Sequence, residues 1–222
     1  EKTDAMVFGS VFHSLVEARA TGNDRPLTEI AVWSGGDRRG KAWQEFKDAH
    51  AGRYIVKADE FERLERMADN VFRKPYTRRL LTGATFEATA LWTDDKTGVH
   101  CKARIDVVQD LLLCDLKTAA DVNFEAFTKA AYNFGYHRQA AWYLDGAAKA
   151  TGRPYSSFGI IVVEKTEPFE VRVFNCDPAF LARGRDENRT NLDLYASCQA
   201  ANEWPGFPDI PERLSLPGWV SK

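Results

Sequence analysis

With 222 residues and 44% apolar content, the chain is long enough for one α/β core and too short for two enzyme domains. It contains no apolar run of the ~18 residues that a membrane helix needs, so no transmembrane helix is expected, and nothing at its start reads as a signal peptide. The formal net charge of −2 gives no global support for nucleic-acid binding, so any such role must rest on local basic clusters. The four cysteines, Cys101, Cys114, Cys176 and Cys198, form no C-x-x-C pair and read as reduced thiols, which argues for a cytoplasmic protein.

In chain order, a helix is expected from Asp4, a candidate N-cap, to Ala20, followed by a loop with Gly22 and Pro26. A short apolar segment follows at Ile30–Trp33, then a helix near Arg39–Ala49 and a short strand at Tyr54-Ile55-Val56. Asp59-x-x-Glu62 reads as a capping box opening a helix to about Phe72. Thr85–Thr93, Val99–Val108 and Leu111–Thr118 form a strand meander, with turns at Asp94–Gly98 and Gln109-Asp110. Helices fill Phe124–Ala150, the second running from about Phe134 and closed by Gly152 and Pro154. Ser157–Val163 and Phe169–Asn175 are further strands, and Asp177-Pro178 opens a final helix to near Asn202. Strands flanked by helices on both sides suggest one α/β domain spanning residues 1–222, a mixed sheet between helices.

The chemistry concentrates in the second hairpin of the meander. Side chains alternate faces along a strand, so Asp115 and Lys117 point the same way. If Val108 pairs with Leu111, Asp106 lies opposite Leu113 and diagonal to Asp115, about 7–8 Å away on the same face. Two carboxylates so placed can grip one divalent cation with an ammonium beside it. Ile105, Val107, Leu112, Cys114 and Leu116 would then fill the core face. A bare D-x-K is common, and Asp106 is what gives this one weight. Elsewhere, Gln139 and Tyr143 are i and i+4 on one helical face, and Gly9 precedes His13 by four residues.

Taken together, Gly9-x-x-x-His13, Asp106, Asp115-x-Lys117 and Gln139-x-x-x-Tyr143 resemble the PD-(D/E)xK nuclease superfamily in its RecB-type branch. The wording is most similar to the RecE-type exonucleases (exonuclease VIII), through Thr97–Asp106, Asp115-Leu116-Lys117-Thr118-Ala119, Tyr136–Gly146, Glu203-Trp204-Pro205 and Leu214–Trp219. Ile105 stands where the superfamily pattern implies proline, a position that shapes backbone and carries no chemistry. The resemblance implies a central mixed sheet flanked by helices and magnesium, with manganese as substitute, two ions per site. His13, Asp106, Asp115 and the Leu116 carbonyl would be ligands. Lys117 would orient water or stabilise charge, Gln139 would contact the water or scissile phosphate, and Glu87 would support a second metal. Thr118 and Tyr143 would contact DNA. The absence of a cysteine quartet argues against the iron–sulfur cluster of some RecB-type relatives.

The implied activity is 5′ to 3′ digestion of double-stranded DNA ends, leaving 3′ single strands for a single-strand annealing protein, by a ring-shaped homo-oligomer, a tetramer. A RecB-type endonuclease and a non-catalytic DNA-end-binding module are the alternatives. Among basic residues, Lys102 and Arg104 share the strand face of Asp106, whereas Arg38, Arg39 and Lys41 follow the flexible Gly35-Gly36 pair at a helix start. Arg38 and Arg39 are the sequence's candidates for gripping a terminal 5′ phosphate. Arg73, Lys74, Arg78 and Arg79 read equally well as a solvated helix face.

Overall fold

A computed structural model describes residues 2–216; the Pro217–Trp219 part of the tail motif lies outside them. The central sheet has five strands in the order β3-β4-β5-β6-β7: β3 (Thr85–Thr93), β4 (His100–Gln109), β5 (Leu112–Ala119), β6 (Ser157–Glu164) and β7 (Val171–Asn175). Pairing is antiparallel except between β5 and β6, whose parallel register runs from Leu112↔Ser157 to Ala119↔Glu164. A parallel neighbour requires a crossover. Here α5 (Phe124–Asn133) and α6 (Tyr136–Thr151) supply it.

Helices cover both sides of the sheet. On one side α1 (Asp4–Thr21), α3 (Ala58–Arg73) and α4 (Pro75–Leu81) pack Phe12, Leu15, Leu64, Met67 and Leu81 against Val107, Cys114, Leu116 and Ile161. On the other, α6 packs Ala140 and Leu144 against Ile105, Leu113, Phe158 and Ile160, with Leu181 of α7 (Pro178–Ala201). Gly184 brings α7 against α6, where any Cβ would overlap the His137 carbonyl oxygen. The remaining strands, β1 (Ile30–Trp33) and β2 (Tyr54–Lys57), form a separate parallel pair beside α2 (Gly40–Ala49). Among the described residues no helix is long and apolar enough to cross a membrane.

Several expected boundaries move for local reasons. Thr3, not Asp4, caps α1, its Oγ1 accepting from the Met6 N–H at 3.3 Å. The α3 cap sits two residues upstream of the expected box, with the Glu60 carboxylate accepting from the Lys57 N–H at 3.0 Å. Gly135, at φ 72, separates α5 from α6, so the second helix starts at Tyr136 rather than Phe134. α4 and the 3-10 turn at Arg25–Glu29 were not foreseen; both begin with proline in their first two positions.

The β4–β5 hairpin is the consequential correction. Its turn is Asp110-Leu111, because Asp110 adopts φ 52, a left-handed conformation that aspartate tolerates better than most residues. The observed pairs are Gln109↔Leu112, Val108↔Leu113 and Val107↔Cys114. Pairing is shifted by two from the expectation. Extending the ladder would set Asp106 directly against Asp115 rather than diagonal to it. The ladder stops just there.

The face assignment is corrected as well. Ile105 and Val107 are two apart yet lie in different cores, Ile105 with α6 and Val107 with α1. A regular strand cannot do this, so β4 turns over at Asp106. Its partner strand does the same: Phe86 packs with α1, Ala90 with α6, and Glu87 between them has φ 51. A sheet irregularity therefore sits between Glu87 and Asp106.

Candidate metal and nuclease site

At that irregularity β4 and β5 part, and side chains take over from the ladder. The Leu116 N–H donates to Asp106 Oδ2 at 2.9 Å instead of to a β4 carbonyl. The Leu116 carbonyl accepts from His13 Nε2 at 2.9 Å. Since a carbonyl only accepts, the imidazole proton is on Nε2, and Nδ1 faces the carboxylates, 3.8 Å from Glu87 Oε1 and 3.7 Å from Asp106 Oδ2. His13, Glu87 and Asp106 each place one donor atom within 4.8 Å of the others. The position of Gly9, four residues before His13, is open: a Cβ there would meet nothing within 4 Å.

Asp115 is turned towards α6. Its side chain is 1% exposed, Oδ1 accepts from Gln139 Nε2 at 2.7 Å, and Oδ2 meets the Lys117 ammonium. Oδ2 is buried, and the Lys117 ammonium is its partner. Gln139 Nε2 also lies 3.1 Å from the Tyr143 hydroxyl, so the expected helical face is realised. Asp115 is therefore adjacent to the His13–Glu87–Asp106 cluster, not one of its three members.

Burial and crowding of like charge set the protonation. Burial first, and then Asp106, raises the Asp115 carboxyl to about 7. Burial disfavours charge on Lys117, yet Asp115 and Asp106 outweigh it and hold the ammonium above its usual pKa. Burial likewise opposes a charged His13, but Glu87, Asp106 and Asp115 together raise it. Glu87 is lowered, by His13 first and also by Arg104. Such crowded carboxylates want a cation.

The donor set fits one. It holds two carboxylates and an imidazole nitrogen, with a main-chain carbonyl and the buried Asp115 carboxylate beside them. Oxygen donors with one nitrogen suit a hard or borderline divalent ion.

The other sequence candidates divide. Arg104 Nε pairs with Glu87 Oε2 at 2.7 Å and borders the site. Lys102 is exposed on the same strand, its carbonyl accepting from Trp142 Nε1 at 3.2 Å. Thr118 is half-buried on β5, one residue beyond Lys117. Arg38 is engaged elsewhere, with Asp4 and Glu60 at 3.0 Å each and the Ile55 carbonyl at 3.3 Å. Asp4 is nine residues before His13 on α1, roughly 13 Å along the helix, so Arg38 is not brought to the site. Arg39 pairs with Asp37, and Lys41 with Glu45 within the start of α2. One neighbour was missed: the Tyr136 ring lies 4.9 Å from the Lys117 ammonium. Its spacing from Gln139, one turn earlier on the same helix, was the available signal.

A mixed sheet that forks at an acidic cluster, with a D-x-K strand and a glutamine–tyrosine helix beside it, defines the PD-(D/E)xK nuclease superfamily. Residues 1–210 match the family described as a PDDEXK-like domain of unknown function (DUF3799), and the chain belongs to that family. No curated protein matches it. Among solved structures, a presumptive exonuclease from Eubacterium rectale aligns with a TM-score of 0.63 at 16% identity, over 92% of this chain and 70% of that one. This likeness concerns the fold. A second structure, SSO0001, has a TM-score of 0.34 at 10% identity, over 81% of this chain and 83% of that one, and bears no argument.

Proposed function

We propose that residues 1–222 form a single deoxyribonuclease domain that digests double-stranded DNA from its ends in the 5′ to 3′ direction. The observation that carries the hydrolytic part is the convergence of His13, Glu87 and Asp106 beside the buried Asp115–Lys117–Gln139 group. His13, Asp106, Asp115 and the Leu116 carbonyl would hold magnesium, or manganese in its place, with Glu87 bordering a second ion. Bound there, the ion supplies Lewis-acid polarisation of the phosphoryl oxygen and acidifies a water. Lys117 is the donor to negative charge growing on the phosphate. Its ammonium is kept protonated by Asp115 and Asp106, as that role needs. Gln139, fixed by Asp115, orients the attacking water through its amide, and Tyr143 holds an adjoining phosphate. Thr118, Lys102 and Arg104 line the DNA path.

The direction, the ring-shaped tetramer and a single-strand annealing partner rest on the resemblance to RecE-type exonucleases, and the presumptive exonuclease fold of the Eubacterium rectale protein supports an end-acting mode. The test is magnesium-dependent digestion of duplexes labelled at either 5′ or 3′ termini, alongside closed circular DNA. Early release of the 5′ label from linear DNA, with circles intact, is expected. Cleaved circles would favour the RecB-type endonuclease, and binding without cleavage a DNA-end-binding module.

A further inference from the structure

Aromatic rings lead from the lysine of the site out to solvent. The Tyr136 ring lies 4.9 Å from the Lys117 ammonium, and Phe134 stacks on Tyr136 at 5.9 Å between centroids, with the planes 29° apart. Phe134 is 71% exposed, more than any other large apolar side chain before the segment that follows α7. A phenylalanine in water forgoes the burial that normally places it in a core. Nor is it on a loose loop. Its N–H donates to the Ala130 carbonyl at 2.9 Å, closing α5, and the buried Gly135 at φ 72 turns the chain straight into α6. Lys129 and Arg138 are exposed on the same stretch.

The geometry points to Phe134 as a stacking platform for an unpaired nucleobase of the strand being cut, next to the scissile phosphate. This rests on the nuclease reading of the site. The occupant follows from position: the phosphate acted on by Lys117 brings its flanking nucleotides to the rings beside that lysine. Stacking is tolerant of sequence because every base has a π face, which suits an enzyme that must advance through any DNA. A base behind the terminal pair has both faces covered by its neighbours and can lie flat on Phe134 only after leaving the stack, so the platform would hold the end of the duplex open. Exposed cations beside an exposed ring are the usual composition of a single-strand track.

The test is a cycle between protein and DNA. Short duplexes carry an abasic residue at each of the first few positions of the cut strand, and kcat/KM and Kd (by fluorescence anisotropy) are measured for wild type, Phe134→Ala and Phe134→Trp. At one position the missing base should cost the wild type roughly tenfold. Phe134→Ala should lose about as much on intact DNA and nothing further on that abasic duplex, while Phe134→Trp should behave as wild type. If Phe134→Ala slows intact and abasic DNA alike, the ring merely buttresses Tyr136 and Lys117, and the inference is overturned. An unchanged Phe134→Ala would equally overturn it and leave the ring to a protein partner. Should the wild type prove inert on every duplex, the nuclease reading fails, whereas the cycle in Kd still decides the platform.

Discussion

The Asp106 carboxylate accepts from the Leu116 N–H and also faces His13, so one side chain serves both the sheet and the site. Chemistry can separate the two. Asparagine keeps an oxygen for the Leu116 N–H but loses the charge; alanine loses both. Asp106→Asn should therefore melt near the wild type and lose divalent-cation affinity, whereas Asp106→Ala should also lose about 1–3 kcal/mol, the cost of a buried donor left unpaired. Thermal melts and calorimetric Mn²⁺ titrations check this, and equal melting of the two variants would refute the structural half. The ligand types were legible in the sequence because carboxylate, lysine and glutamine occur in fixed order. Their grouping was not. β4 turns over at Asp106 beside a Glu87 of positive φ, an irregularity that no alternation of residue types announces.

At the scale of elements, the strand and helix order was readable apart from α4 and the 3-10 turn, since period-2 and period-3.6 patterns are strong in the longer segments. The one-residue shift of the β4–β5 turn, which slips the pairing by two, shows where such reading stops. Gln109-Asp110 is the more polar break on paper, yet Asp110 takes the left-handed conformation and draws Leu111 into the turn. Arg38 shows another limit, because its partners Asp4 and Glu60 are 34 and 22 residues away. The contact of α6 with α7 makes a sharper prediction. Gly184→Ala puts a methyl group into the His137 carbonyl, which is backbone and cannot swing aside. Overpacking of this kind costs about 1–3 kcal/mol. A drop in melting temperature is expected, together with lower activity, because α6 also carries Gln139. Wild-type stability would mean that the helices separate freely.

At the scale of the molecule, the β3–β4 turn is tied to α7 by Asp94, whose carboxylate takes Arg189 Nη1 at 2.9 Å and the Thr97 backbone and hydroxyl. Arg189 first, and then Thr97, holds this carboxyl well below its usual range. A lowered folded pKa contributes stability above the ordinary value of about 3.9, lost as pH falls through the folded value. Asp94→Asn should therefore melt lower than wild type at neutral pH, with the gap narrowing only below about pH 4. A gap constant down to pH 2 would exclude the assignment. Assembly also belongs at this scale. A cyclic tetramer is the proposed state, since a closed ring keeps an end-acting enzyme on a long duplex. Light scattering should report four times the 25.0 kDa chain mass, and a monomer at all micromolar concentrations would contradict it.

Cys114 sits one residue before Asp115 on β5, fully buried against α1 and α3, with burial pushing its thiol up to about 12. Only thiolate reacts with alkylating reagents, and only when reached. The protein thus carries its own clock for the opening of its central strand. Brief pulses of iodoacetamide, read peptide by peptide, should label Cys114 at the rate at which β5 leaves the sheet. If divalent cations bind at the fork, adding Mn²⁺ should slow that clock while leaving the half-buried Cys198 unchanged.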